Sequence, residues 1–496
     1  MNSRQKDYCI AIGILIFAFA VRLYKIMVAV APNGVDEGIH LMQGRLLAEG
    51  FSLYDETFSV QAPVAIFIYA LINGEIFLAK LLSIVSSLIT IALIMRLARK
   101  YTDTLGMTIA GLLLSAELFF LKESRLASID MLCATFLVIG FFFLFRYVEG
   151  ENRLNLVIAG FFLAVASLTK LLAVLPTIAI AAYLVWKKGR NSIPFQLGIL
   201  TTVVALLTPL NLRAAFEQII LAHTHKEWRG LLDRFVIFAQ YLVLNAVLIG
   251  LACVGIWAIF QDYREGKDRI RRDFLLIWLL SLLFFMISLN NVMSHHLVLL
   301  SPILALLAAF GGSKIASLEI WDLKLPESWP IKLPRIQIDR SKAIGGLLAV
   351  IFAVSTLKVA IISSVVFLEP KPRENPEYLA AEILEIITTP EDLVISGNPE
   401  IPLLAERNVP PELADTARNR YPPLTDEYLI NRTIENNVAA VVIAYAMVEF
   451  TEYMKFLETH YTRDLRAWDI DPAILEDLEE QDIQIFIQLQ SAQTQF

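Results

Sequence analysis

Apolar runs of membrane-spanning length recur from the N-terminus to about residue 368, separated by short polar connections. Their spacing predicts eleven transmembrane helices, near 8–26, 76–98, 104–121, 129–147, 154–169, 171–187, 194–211, 235–260, 273–289, 296–313 and 342–368. The apolar stretch Val64–Ile72 is too short to cross and reads as a juxtamembrane helix lying along the interface. After Leu368 the pattern changes. Glu369–Pro376 is a proline-rich linker. Beyond it, helical periodicity over Glu377–Ile387 and Thr425–Asn437 alternates with short apolar runs at Leu393–Ser396, Ala439–Ala444 and Ile483–Leu489. That order predicts a small soluble α/β domain over 369–496, following a polytopic α-helical membrane domain over 1–368.

Composition agrees with this class. The chain has 496 residues, 56% hydrophobic and 18% charged, with a mean hydropathy of +0.60, which excludes a large soluble globule. Basic residues then orient it. Connections holding Arg96, Arg99 and Lys100, then Lys187, Lys188 and Arg190, then Arg264 to Arg272, then Lys314 to Lys342, alternate with sparsely basic ones. The basic set and the N-terminus belong in the cytoplasm, and an odd number of spans puts the α/β domain outside. Ala29-Val30-Ala31 resembles a signal-peptide cleavage site, an alternative that Arg22 and Lys25 oppose. Cys9, Cys133 and Cys253 all fall within predicted spans, where they read as packing residues.

On this topology the unusual polar residues gather on one external face. Asp36 and Glu37 stand side by side in a loop at 32–75, together with His40 and Gln61. Arg125 precedes a helix that Asp130 begins, Lys170 ends another, and His223, His225 and Arg229 occupy the loop at 212–234. His295 and His296 lead into a further helix. Carboxylates beside a bilayer are costly unless hydrated, paired or used. A face that holds both acids and phosphate-seeking cations suits an anionic lipid headgroup and a proton to be removed. Asp130 has two readings, a structural ion pair with Arg125 or a contact to acceptor or metal. His223 and His225 are two apart, so in a helix they do not share a face. Asp36, Glu37 and Asp130 are the acids open to a divalent cation, but no tight ligand spacing accompanies them, so no cofactor is implied with certainty.

The order of these features resembles the GT-C membrane glycosyltransferases that use polyprenyl-phosphate sugars, among them protein O-mannosyltransferases and lipid A aminoarabinose transferases. The likeness runs over about residues 8–310: Arg22-Leu23-Tyr24, Asp36-Glu37, Gln61-Ala62-Pro63, Arg125 with Asp130, Leu168-Thr169-Lys170, the histidine-bearing loop, and His295-His296 before Leu-Leu-Ser-Pro. A weaker likeness covers Glu406–Pro411. Relatives often carry Lys or a second Pro where this chain has Ala62, so one phosphate contact is missing or supplied elsewhere.

The resemblance implies an inverting transfer from a polyprenyl-phosphate sugar to a protein, glycan or lipid acceptor at the outer bilayer face. Asp36 would be the general base, with Glu37 and Asp130 in the catalytic set and 32–75 as the catalytic loop. Lys170, Arg229, His225 and Arg125 would hold the donor phosphate, and Gln61, His223, His295 and His296 would contact substrate. No nucleic-acid partner is expected. The rival reading is a multi-pass transporter of a lipid-linked or anionic substrate, which predicts internal repeats and midplane polar residues. This chain has no repeat and keeps its charges at helix ends, with Lys358 the clearest exception.

Overall fold

The computed structural model describes residues 2–24, 35–225, 230–262, 266–289, 292–317, 375–416 and 423–489, with isolated positions besides. The expected span 342–368 lies largely outside them, as do Lys358 and the Ala29–Ala31 pattern.

Polar caps set the helix ends. Helix α1 covers Ser3–Leu23, α2 Val35–Ala48 and α3 Pro63–Ala70, the last on the segment expected to lie along the interface. Helix α4 (Ile76–Tyr101) starts where Glu75 accepts the Phe77 and Leu78 amides, and it ends on Arg99 and Lys100. Asp103 caps α5 (Thr104–Ser115) and Glu117 caps α6 (Leu118–Glu123). Ser128 caps α7 (Ile129–Gly150), and Asn152 caps α8 (Arg153–Thr169). The bundle continues through α9 (Val174–Lys188), α10 (Ile193–Leu207), α11 (Leu212–Phe216), α12 (Ala222–His225), α13 (Leu231–Leu244), α14 (Ala246–Asp262), α15 (Gly266–Ser288) and α16 (Ser301–Ser317).

Among the described residues, four helical stretches are long and apolar enough to cross a membrane, or five if one bent pair counts as a single span. Two expected spans are therefore corrected. The predicted 104–121 breaks between α5 and α6, and the predicted 235–260 bends by 84° between α13 and α14. Both breaks have one cause. Asn245 leaves the helix to donate to Glu117 at 2.8 Å, and Glu117 also accepts from the Phe120 amide (2.6 Å) and the Ser301 hydroxyl (2.9 Å). A buried carboxylate that accepts four hydrogen bonds, the fourth from the Phe119 amide, outweighs the apolar continuity of either run. Helices α14 and α16 meet backbone to backbone at Gly255 and Gly311, where a Cβ would collide with the Leu307 and Leu251 carbonyls.

Beyond the linker, α17 (Pro376–Ile387), α18 (Glu400–Leu404), α19 (Asp426–Glu435), α20 (Thr451–His460) and α21 (Pro472–Glu480) surround a four-stranded sheet. The strands are β1 (Val394–Ser396), β2 (Ala440–Ile443), β3 (Tyr461–Thr462) and β4 (Gln484–Gln488), in spatial order β1-β2-β4-β3. Strands β1 and β2 are parallel, with Val394 opposite Ala440, and the remaining pairs are antiparallel. Alternate residues feed two cores: Val394, Val442 and Ile485 join one, while Ile395, Val441 and Phe486 join the other. Burial of both faces explains why these strands read as unbroken apolar runs.

This α/β unit docks on one end of the bundle. Leu403, Val409 and Ala414 pack with Leu41, Met42 and Leu46 of α2, Tyr69 of α3, and Ile129 and Leu132 of α7. Asn408 donates to the Glu49 carboxylate at 2.8 Å, and Arg420 lies 4.1 Å over the Phe58 ring. A Cβ at Gly38 would meet the Glu400 backbone nitrogen, so α2 and α18 touch main chain to main chain. The segment 406–411 falls inside this contact.

Candidate active site

The docked end gathers the first turn of α2, the first turn of α7, the C-cap residue of α8, and α6. Asp36 and Glu37 open α2, adjacent in sequence but opposite in environment. Asp36 is exposed, and among the described residues its carboxylate has no hydrogen bond or ion pair. Glu37 is 5% exposed. Its Oε1 accepts the Ala127 amide at 2.8 Å and lies 3.8 Å from Lys80 Nζ, while Oε2 has no hydrogen-bond partner among the described residues. Burial raises the Glu37 carboxyl above its ordinary value, with Lys80 and the Ala127 amide opposing. Glu37 thus ties α2 to α4 and to the loop that leads into α7, and it is Asp36 that faces outward.

His40, one turn further along α2, is buried. Burial pushes its imidazole down to about 4, against the pull of Asp36, so the ring is neutral near pH 7. Lys170 Nζ donates to Asp130 Oδ2 at 2.6 Å, and both side chains are nearly enclosed. Their positions suit the helix termini: the carboxylate sits at the N-terminal turn of α7 and the ammonium at the C-cap of α8. Among the described residues Asp130 Oδ1 has no hydrogen-bond partner. Electrostatic neighbours of His40 include both Asp130 and Lys170, and those of His295 include Lys170, Asp36 and His40, so four elements converge on one spot.

Arg125 donates to the Tyr24 carbonyl at 2.9 Å, fastening the end of α1, while Asp130 takes Lys170. Gln61 is half-buried, and its carbonyl accepts the Tyr54 hydroxyl at 2.7 Å. His296 accepts the Met293 amide at 3.2 Å, which makes it a local cap, and its ring lies edge-on to His295 with centroids 4.4 Å apart. Arg229 and the side chains of His223 and His225 lie outside the described residues.

Sequence reasoning passed over four groups here. Lys80 is fully buried although it stands one turn into an apolar helix, and that lone cation was the available signal. Glu123 is buried beside Ser128, whose hydroxyl donates to it at 2.7 Å. Burial and the neighbouring Asp130 push the Glu123 carboxyl up to about 7. Lys122 is exposed and among the electrostatic neighbours of His295. Glu400, from the α/β unit, is 2% exposed; burial first and Glu37 second push its carboxyl up to about 8. Among the described residues no group of three His, Cys, Asp and Glu side chains is placed to hold a metal.

Residues 60–211 match the family model described as dolichyl-phosphate-mannose-protein mannosyltransferase. No curated protein sequence matches the chain. Among solved structures, ArnT from Cupriavidus metallidurans in the apo state aligns with a TM-score of 0.63 at 15% identity, over 97% of this chain and 99% of that one. The same protein bound to undecaprenyl phosphate gives 0.62 at 15% identity, with the same 97% and 99% coverage. The Archaeoglobus fulgidus oligosaccharyltransferase in its apo form gives 0.50 at 13% identity, over 87% of this chain and 69% of that one. The chain therefore has the GT-C fold, and its residues 60–211 carry the sequence signature of the dolichyl-phosphate-mannose-protein mannosyltransferase family.

Proposed function

We infer that the chain is a membrane glycosyltransferase. It moves a sugar, mannose or a related one, from a polyprenyl-phosphate donor to a protein, glycan or lipid acceptor at the outer face of the bilayer. The observation that carries this reading is the exposed Asp36 on α2, unpartnered among the described residues and set within reach of neutral His40 and the Asp130–Lys170 pair. The family match over 60–211 and the undecaprenyl phosphate bound by ArnT support the donor class. A transporter is not favoured by that fold.

The acceptor oxygen attacks the anomeric carbon from the face opposite the phosphate, and its proton passes to Asp36. The bond from carbon to phosphate oxygen breaks with its electron pair on the leaving polyprenyl phosphate, so configuration inverts without a covalent intermediate. That phosphate has a second pKa of about 6 and leaves as a near-dianion, which calls for cations rather than an acid. Lys170 keeps donors free after its bond to Asp130, and exposed Lys122 is a second ammonium at the same end. The sequence offers Arg229 and His225 for the same role, and Lys122 is our candidate for the contact that Ala62 does not supply. Arg125, fastened to Tyr24, serves by fixing α1 against the site. Glu37 positions Asp36 through Lys80 and Ala127.

Purified protein incubated with a radiolabelled polyprenyl-phosphate sugar should release polyprenyl phosphate and label an acceptor fraction. Binding of that donor without any turnover, across sugars and acceptors, would instead favour transport. An impermeant thiol reagent should label Thr224→Cys on intact cells and spare Arg190→Cys; the opposite pattern would move the site to the cytoplasm.

A further inference from the structure

At the far ends of the same helices, a cleft of about 790 Å³ opens among α1, α4, α5 and α7. Lys80 and Asp130 stand near the N-terminal ends of α4 and α7, whereas this cleft is built on the C-terminal halves of those helices (from Ala92 and Phe142 onward) and on the stretch Arg4 to Leu15 of α1. Helices of this length separate the two places by the thickness of a bilayer core, roughly 30 Å.

The cleft has two kinds of wall. Its rim carries Arg4, Arg96, Arg99, Lys100 and Arg146 against Asp7 and Glu149. Both carboxylates are already engaged. Asp7 accepts from Arg99 and from the Thr104 hydroxyl, each at 2.7 Å, and Glu149 accepts from Lys100 and from the Tyr101 hydroxyl. Among the described residues Arg4, Arg96 and Arg146 are exposed and have no carboxylate partner. The depth is apolar, formed by Ala11, Leu15, Leu93, Met107 and Phe142.

We propose that this cleft binds an anionic phospholipid, its phosphate on Arg4, Arg96 and Arg146 and its acyl chains along the apolar wall. Guanidinium forks match phosphate oxygens and, unlike ammonium groups, shed water readily at a lipid boundary. A soluble anion would use the rim alone and leave the apolar depth unfilled. The lipid combines both features in one molecule, and basic pockets between helices on the cytoplasmic side suit acidic headgroups. The size falls within the range of small-molecule sites, roughly 300–1,000 Å³.

The test is native mass spectrometry of the full-length protein in a neutral detergent with equimolar phosphatidylglycerol and phosphatidylcholine of the same chains. Phosphatidylglycerol should be retained in preference. Arg96→Gln and Arg146→Gln should each lower that preference about fivefold, Arg146→Lys should keep only part of it because an ammonium lacks the planar fork, and Arg190→Gln, an exposed basic site outside the cleft, should leave it unchanged. The glutamine variants alter exposed side chains, and their melting midpoints would report any folding defect. Equal retention of the two lipids, or a preference that survives both glutamine variants, would overturn the proposal. Competition by inorganic phosphate alone as effective as by the lipid would mean a free-anion site, and would overturn it too.

Discussion

Lys170 Nζ lies 2.6 Å from Asp130 Oδ2, joining the C-terminal end of α8 to the N-terminal end of α7. The two side chains are 12% and 6% exposed, so the pair sits largely out of water. Removing one member leaves the other charge buried and alone, at a cost of about 3–5 kcal/mol. Lys170→Met should therefore lower the melting midpoint as well as weaken donor use. Asp130→Asn combined with Lys170→Met should destabilise less than the sum of the single changes. Thermal unfolding in detergent, with donor-dependent kinetics on each variant, checks both halves.

Docking of the α/β unit depends on a main-chain approach. Gly38→Ala should force α2 and α18 apart, because its Cβ falls on the Glu400 backbone. The expected outcome is lost transfer and faster proteolysis within the linker. Gly13→Ala, with nothing near its added methyl, should change neither.

Glu400 gives the same contact a pH dependence. Glu37, Lys80, Glu377, Tyr378 and Tyr445 are its titratable neighbours. Its carboxyl rises from an ordinary 4.5 to about 8, so the folded state holds a proton that the unfolded chain has released. The resulting stability is complete below about pH 4.5 and is lost as pH climbs to about 8. Glu400→Gln, which stays neutral, should flatten the fall in melting midpoint between pH 5.5 and 8.5. A slope equal to that of the parent protein would assign the dependence elsewhere.

Much of this was legible in the sequence, for physical reasons that also explain the misses. Each apolar run from Ile76 to Leu207 became helix, and the tail strands appeared where short apolar runs stood between helical periodicities. Periodicity could not reveal the breaks beside Glu117 and Asn245, because those residues are drawn out of helix by partners distant in sequence. The polar residues Asp36, Glu37, Asp130, Lys170 and His295, expected from the sequence on one face, share one end of the bundle. Their division of labour was hidden. Lys170 rather than Arg125 as the partner of Asp130 follows from the adjacency of α7 and α8, and the burial of Glu37 follows from Lys80 and Glu400, which only folding brings near.

The central claim is that Asp36 takes the acceptor proton, and a single substitution tests it most directly. Asp36→Asn is nearly isosteric at an exposed position, so fold and donor affinity should persist. The measurement is the rate of sugar transfer from a radiolabelled polyprenyl-phosphate donor at saturation. The expected result is a fall of roughly two to four orders of magnitude with little change in donor dependence. Turnover close to that of the parent protein would contradict it.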